Sequence, residues 1–127
     1  SADYLGKAID DSMRRLRVDV IDLYQIHRPD ILAHPQEVAR VLDDAVARGK
    51  VRTLGVSNFT QGQTAALSHF LGNKLVATQP EISPLRIDCF ANGELDQAMM
   101  MGLTPLAWSP LGGGKLAAPT TEREHAV

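Results

Sequence analysis

Four short runs of apolar, β-branched and aromatic residues, Val18–Ile26, Val51–Val56, Leu75–Gln79 and Leu103–Trp108, alternate with segments whose apolar residues recur at helical spacing. That alternation constrains the chain more than any other feature. Short strands that take turns with helices are joined by parallel crossovers, so the pattern selects an α/β fold over a bundle or a sandwich. The run VIDLYQI is apolar enough for a strand covered on both faces, as in a parallel sheet. Its polar end, His27-Arg28-Pro29-Asp30, is then the place that water and ligands can reach.

The helical segments are legible one by one. Tyr4, Leu5, Ala8, Ile9, Met13 and Leu16 predict a first helix, started by Ser1 and Asp3. A second begins near Pro35, carries Val38, Val41, Leu42, Ala45 and Val46 on one face and stops at Gly49. A third spans Gln61–Leu71, closed by Gly72 and Asn73, and a fourth spans Glu94–Met101, closed by Gly102. Met99, Met100 and Met101 read as core filler near that helix end. Beyond Leu116 no apolar periodicity remains. Residues 1–116 are therefore expected to form one domain and residues 117–127 a disordered tail.

A chain of 127 residues with 44% hydrophobic composition is long enough for one domain with a real core, and its formal charge of -2 offers no electrostatic reason to expect nucleic acid. The single Cys89 cannot form an internal disulfide, which suits a reducing, cytoplasmic compartment. No stretch approaches the roughly 20 apolar residues of a membrane span, and the first residues lack the apolar core of a signal peptide. His34, His69 and His125 lack partners at metal-ligand spacing, so no metal site is expected.

A doubly wound nucleotide fold would place a glycine-rich turn after its first strand, and neither QIHRPD nor GVSNF has one. The better fit is part of a (β/α)8 barrel, where chemistry sits at the C-terminal ends of the strands. Each strand here ends in polar, ligand-capable residues: Gln25 and His27, Ser57 and Asn58, Gln79 and Glu81, Trp108 and Ser109.

The segments VDVIDLYQIHRPD, GKVRTLGVSNF, ATQPEISPL and PLAWSPLGGG resemble, in order and spacing, the middle of an aldo-keto reductase, and LAWSPLGGGKL with IHRPD and ELDQAM is similar to the bacterial YdhF-like oxidoreductases of that superfamily. The resemblance implies NADPH-dependent reduction of a small-molecule aldehyde or ketone to an alcohol. His27 matches the histidine of the family's Asp, Tyr, Lys and His catalytic group and would hold the carbonyl oxygen. Ser57, Asn58 and Gln79 match the residues that hydrogen-bond the nicotinamide carboxamide, and Trp108 the aromatic ring stacked on the nicotinamide. Ser109, Leu111 and Gly112 match the loop along the pyrophosphate. A barrel of this class needs about 250 residues, so the four strands here correspond to its fourth through seventh. The resemblance leaves the family's Asp, Tyr and Lys, and the loop that grips the 2'-phosphate, without counterparts in this chain.

Plainer readings exist for each residue. His27 alone reads as a strand-end histidine satisfied by backbone, Ser57-Asn58 as a helix cap, Gln79 as a loop residue before Pro80, and Trp108 as a plug in the barrel mouth. The glycines of GGGK lack the Ser or Thr of a Walker loop. Two other functions compete with a reductase fragment. One is a half-barrel interaction module that self-associates through its bare sheet edges. The other is a lyase or aldolase, which would need a lysine at a strand tip, and none stands there.

Overall fold

The computed structural model describes residues 2–126, so Ser1 as a helix start lies outside the described residues, as does Val127 at the end of the tail. The elements run in the order α1 (Ala2–Leu16), β1 (Ile21–Ile26), α2 (Pro35–Ala47), β2 (Val51–Ser57), α3 (Gln61–Phe70), β3 (Leu75–Gln79), a single 3-10 turn (Asp88–Phe90), α4 (Glu94–Met101), β4 (Thr104–Pro105) and α5 (Glu122–His125). The four strands form one sheet in sequential order, and every neighbouring pair is parallel. Alternating helices and parallel strands are therefore as expected.

Side chains alternate across a strand, and that period divides the sheet. Leu54 and Val56 of β2 are buried with Ile9 of α1, Leu42 and Ala45 of α2 and Leu67 of α3, and Tyr24 and Ile26 of β1 pack against the same cluster. Thr53, Gly55 and Ser57 fall on the opposite face, in the rows that join them to Leu23, Gln25, Ala77 and Gln79. This second face is the one a closed barrel turns inward. No helix among the described residues is long and apolar enough to cross a membrane.

The helix boundaries have identifiable causes. His34 caps α2, its Nδ1 accepting from the Gln36 N–H, and Pro35 follows at the first helical position. Gly49 and Gly102 end α2 and α4 in the left-handed region, with φ of 71° and 68°. Before β1, Arg17 takes φ of 55° and the Val18 N–H reaches back to the Met13 carbonyl. Residues 17–20 are thereby spent on ending α1, and β1 begins at Ile21 instead of Val18.

Two further elements differ from their expected extent. β4 is confined to Thr104–Pro105 because Pro105 has no N–H for the ladder. The strand path nonetheless continues, since the Leu106 N–H donates to Thr78 C=O at 2.8 Å and the Trp108 N–H to Pro80 C=O at 3.1 Å. In the tail, Thr121 and Glu124 form a capping box that starts the single turn of α5, and Arg123 donates to the Leu85 carbonyl. Met99 and Met100 are exposed and only Met101 packs on the core, so two of the three methionines are not filler.

Asp43 replaces the glycine cap expected after α3. Its carboxylate, on α2, accepts from the Gly72 N–H at 2.8 Å, the Asn73 N–H at 3.1 Å and the Asn73 side-chain amide at 2.8 Å. Burial works to raise this carboxyl, but the three donors outweigh it and hold the pKa below its ordinary value. A carboxyl whose pKa is lowered on folding stabilises the native state above its unfolded pKa of about 3.9 and loses that contribution as pH falls through the folded value. Asp43→Ala is expected to lower stability by about 1–3 kcal/mol at neutral pH. The difference from wild type should shrink as urea titrations move below roughly pH 4. A difference that stays constant down to that pH would assign Asp43 a packing role instead.

Candidate active site at the strand ends

The C-terminal tips of β1, β2 and β3 and the segment after β4 meet at Asn58. This residue holds φ of 57°, a conformation that asparagine tolerates better than most side chains. Its N–H donates to the Gln79 carbonyl at 3.2 Å. Its side-chain nitrogen donates to the His27 carbonyl at 2.9 Å and to Ser57 Oγ at 3.1 Å, and its Oδ1 accepts from the Trp108 indole at 3.0 Å. Both amide hydrogens and one acceptor site are therefore engaged, leaving one acceptor lone pair. Ser57 is buried and its hydroxyl donates to the Gln79 carbonyl at 2.9 Å.

This network removes the plainer readings of three residues. The N-cap of α3 is Thr60, in a capping box with Gln63, so neither Ser57 nor Asn58 is spent on capping. Trp108 is not a loose plug, because its ring is tethered to the tip of β2 across 50 positions of sequence. The imidazole of His27 stands exposed at the end of β1 while its backbone carbonyl is held by Asn58.

Gln25 is a strand-end residue to which the family resemblance assigns no role. Its Nε2 donates to Gln79 Oε1 at 2.8 Å. The signal available in the sequence is its place two residues before His27, hence on the same strand face.

The SPLGGGK loop follows. Ser109 takes φ of 54°, and Gly112, Gly113 and Gly114 all have positive φ. The Gly112 N–H donates to the Ser109 carbonyl at 2.8 Å and the Gly113 N–H to Ser109 Oγ at 2.7 Å, while the Gly114 N–H donates to Leu111 C=O. Those amides close the loop on itself. What the glycines offer a ligand is closeness of approach and not free N–H groups, and Leu111 lies exposed at the loop's edge.

Two cavities border the tips. A polar one of about 340 Å³ opens beside Asn58 and Trp108, between Arg28, Glu81, Arg86 and Asn92. A larger apolar hollow of about 430 Å³ lies on the helix side, lined by Leu5, Ile26, Ile31, Val38 and Leu67, and includes none of Ser57, Asn58, Gln79 or Trp108. Cys89 at the rim of the polar cavity is buried; burial and the nearby Glu94 carboxylate push its thiol pKa up, away from nucleophilic use. No cluster of three metal-ligating side chains occurs among the described residues.

The aldo/keto reductase family model matches residues 1–127, the whole chain. The chain belongs to the aldo/keto reductase family. It is 80% identical over 127 residues to the 6-dehydroglucose reductase of Novosphingobium aromaticivorans, covering all of this chain and 42% of that protein. It is 43% identical over 114 residues to the oxidoreductase YdhF of Escherichia coli, covering 90% of this chain and 38% of that protein, in line with the YdhF-like character of its motifs. The crystal structure of an aldo/keto reductase from Klebsiella pneumoniae in complex with NADP and acetate superimposes with a TM-score of 0.79 at 26% identity, covering 90% of this chain and 40% of that one. The chain thus spans about two fifths of the length of the aldo/keto reductases it matches, and its four parallel strands are part of their (β/α)8 barrel.

Proposed function

We propose that the complete protein containing these residues is an NADPH-dependent reductase that converts a small-molecule carbonyl to an alcohol at the tips of β1 to β4. The observation that carries this reading is the single hydrogen-bonded cluster joining Ser57, Asn58, Gln79 and Trp108 to the backbone of His27. The donor set suits a nicotinamide carboxamide, which has one accepting and one donating side. Gln79 keeps Nε2 free to donate, and Asn58 keeps one lone pair on Oδ1 to accept.

When bound, the reduced nicotinamide supplies the hydride. The protein's residues do the rest. Gln79 and Asn58, backed by Ser57, fix the carboxamide and with it the ring face turned to the substrate. Trp108 offers an aromatic platform whose plane is set by its bond to Asn58. His27 holds the carbonyl oxygen in line, a task for which neutral imidazole suffices. Ser109, Leu111 and Gly112 would line the pyrophosphate, where the missing side chain of Gly112 permits close approach. Proton donation falls to residues outside this chain. Tyr24 is half-buried on the helix side of β1, where burial, with Tyr4 nearby, raises its pKa.

The 80% identity to a protein named 6-dehydroglucose reductase makes 6-dehydroglucose the first substrate to test. The complete protein should oxidise NADPH, with NADH as comparison, in proportion to alcohol formed when given that compound. Absence of NADPH-dependent turnover with 6-dehydroglucose and with a panel of aldehydes, ketones and quinones would overturn the reading.

A further inference from the structure

Gln25 and Gln79 are on strands that do not touch. Their side chains nevertheless meet, with β2 lying between them. Neighbouring strands are about 4.8 Å apart, so the bridge must span roughly twice that distance over the middle strand. Gly55 makes this passage open. It is the register partner of both Gln25 and Ala77, and a Cβ there would stand 3.1 Å from Gln25 Cγ, 3.2 Å from Gln25 Oε1 and 3.1 Å from the Ala77 carbonyl. Any larger residue at this position would occupy the space that Gln25 crosses.

We infer that Gln25 is a positioning residue that sets which end of the Gln79 amide faces the cofactor, an inference that rests on the proposed nicotinamide site. An amide side chain offers a donor at one end and an acceptor at the other. By donating to Gln79 Oε1, Gln25 consumes the acceptor and turns Nε2 outward. The cluster then presents a donor from Gln79 and an acceptor from Asn58, the complement of a carboxamide. With the Gln79 amide reversed it would present two acceptors, and one side of the carboxamide would be left unpaired. The other end of Gln25 supports a bridging role, since its Oε1 is buried with no hydrogen-bond partner among the described residues.

The test uses the complete protein and two cofactors, NADPH and its thionicotinamide analogue, which keeps the amide nitrogen but replaces the carbonyl oxygen by sulfur, a weak acceptor. In wild type the analogue loses most of the hydrogen bond from Gln79 and should bind about fivefold more weakly than NADPH. In Gln25→Glu the carboxylate accepts only, the Gln79 nitrogen turns toward it, and the carboxamide oxygen of NADPH meets an acceptor, while the analogue has little of that bond to lose. The ratio of analogue to NADPH dissociation constants should fall about fivefold, to near one. Gln25→Met, which keeps length without charge, frees the Gln79 amide to adopt either orientation and should lower the ratio about threefold, and it serves if the glutamate variant does not fold. A general packing defect weakens both cofactors alike and leaves the ratio unchanged. A ratio within twofold of wild type in the variants that fold overturns the positioning role. Wild-type protein that binds no NADPH removes the cofactor site itself, an outcome distinct from an unmoved ratio.

Discussion

His27→Ala in the complete protein is expected to lower kcat/KM for carbonyl reduction by about one to three orders of magnitude, with NADPH affinity held within about threefold. The separation follows from how the residue is built in. Asn58 grips the His27 backbone carbonyl, which every substitution retains, while the imidazole stands clear of the cluster assigned to the carboxamide. Deleting the ring therefore removes an interaction with the reacting oxygen and leaves the frame intact. His27→Gln keeps a donor at a different reach and should fall between the two. Stopped-flow hydride transfer alongside fluorescence titration of NADPH measures both quantities. Unchanged turnover would take His27 out of the chemistry, and a parallel collapse of NADPH binding would make it structural.

The 127 residues by themselves are expected to self-associate and to oxidise NADPH at no more than the background rate. β1 and β4 each have a partner on one side only, so two sheet edges are bare. The face carrying Leu23, Thr53 and Ala77, which a closed barrel fills, has no second half to pack against. The chain's two tyrosines do not supply the acid, since Tyr24 packs on the helix side and Tyr4 is on α1. Cofactor affinity should also be weak, because only the nicotinamide and pyrophosphate contacts are proposed within these residues. Size-exclusion with light scattering, followed by assays on aldehydes, ketones and quinones, decides the matter. A stable monomer with His27-dependent turnover would require a proton donor among these residues.

Surface charge adds little to either outcome. Lys50, just before β2, pairs with Asp10 of α1 at 2.5 Å, and Arg52 of β2 pairs with Asp22 of β1. Exposed pairs of this kind contribute under about 1 kcal/mol, so the cluster at the tips and the apolar layer behind it dominate.

The residue pattern by itself determined the order of strands and helices, the parallel sheet, and the fact that His27, Ser57, Asn58, Gln79 and Trp108 stand at strand ends. Periodicity, glycine stops and a polar residue after an apolar run are local properties, and neighbouring positions suffice to express them. The same locality explains the misplaced limits. Nothing adjacent to Val18 announces that Arg17 will turn left-handed, and Gly72-Asn73 reads as an ordinary helix stop until Asp43, some thirty residues earlier in the chain, is seen to hold it. Only the tertiary structure decided how the tip residues divide their hydrogen bonds. Asn58 is occupied by His27, Ser57 and Trp108, and Gln79 is turned by Gln25 across Gly55, pairs separated by up to 54 positions. Which end of an amide faces a ligand depends on the partner brought to its other end. That partner is chosen by strand register and by the space left where a side chain is missing, and neither is encoded near the residue concerned.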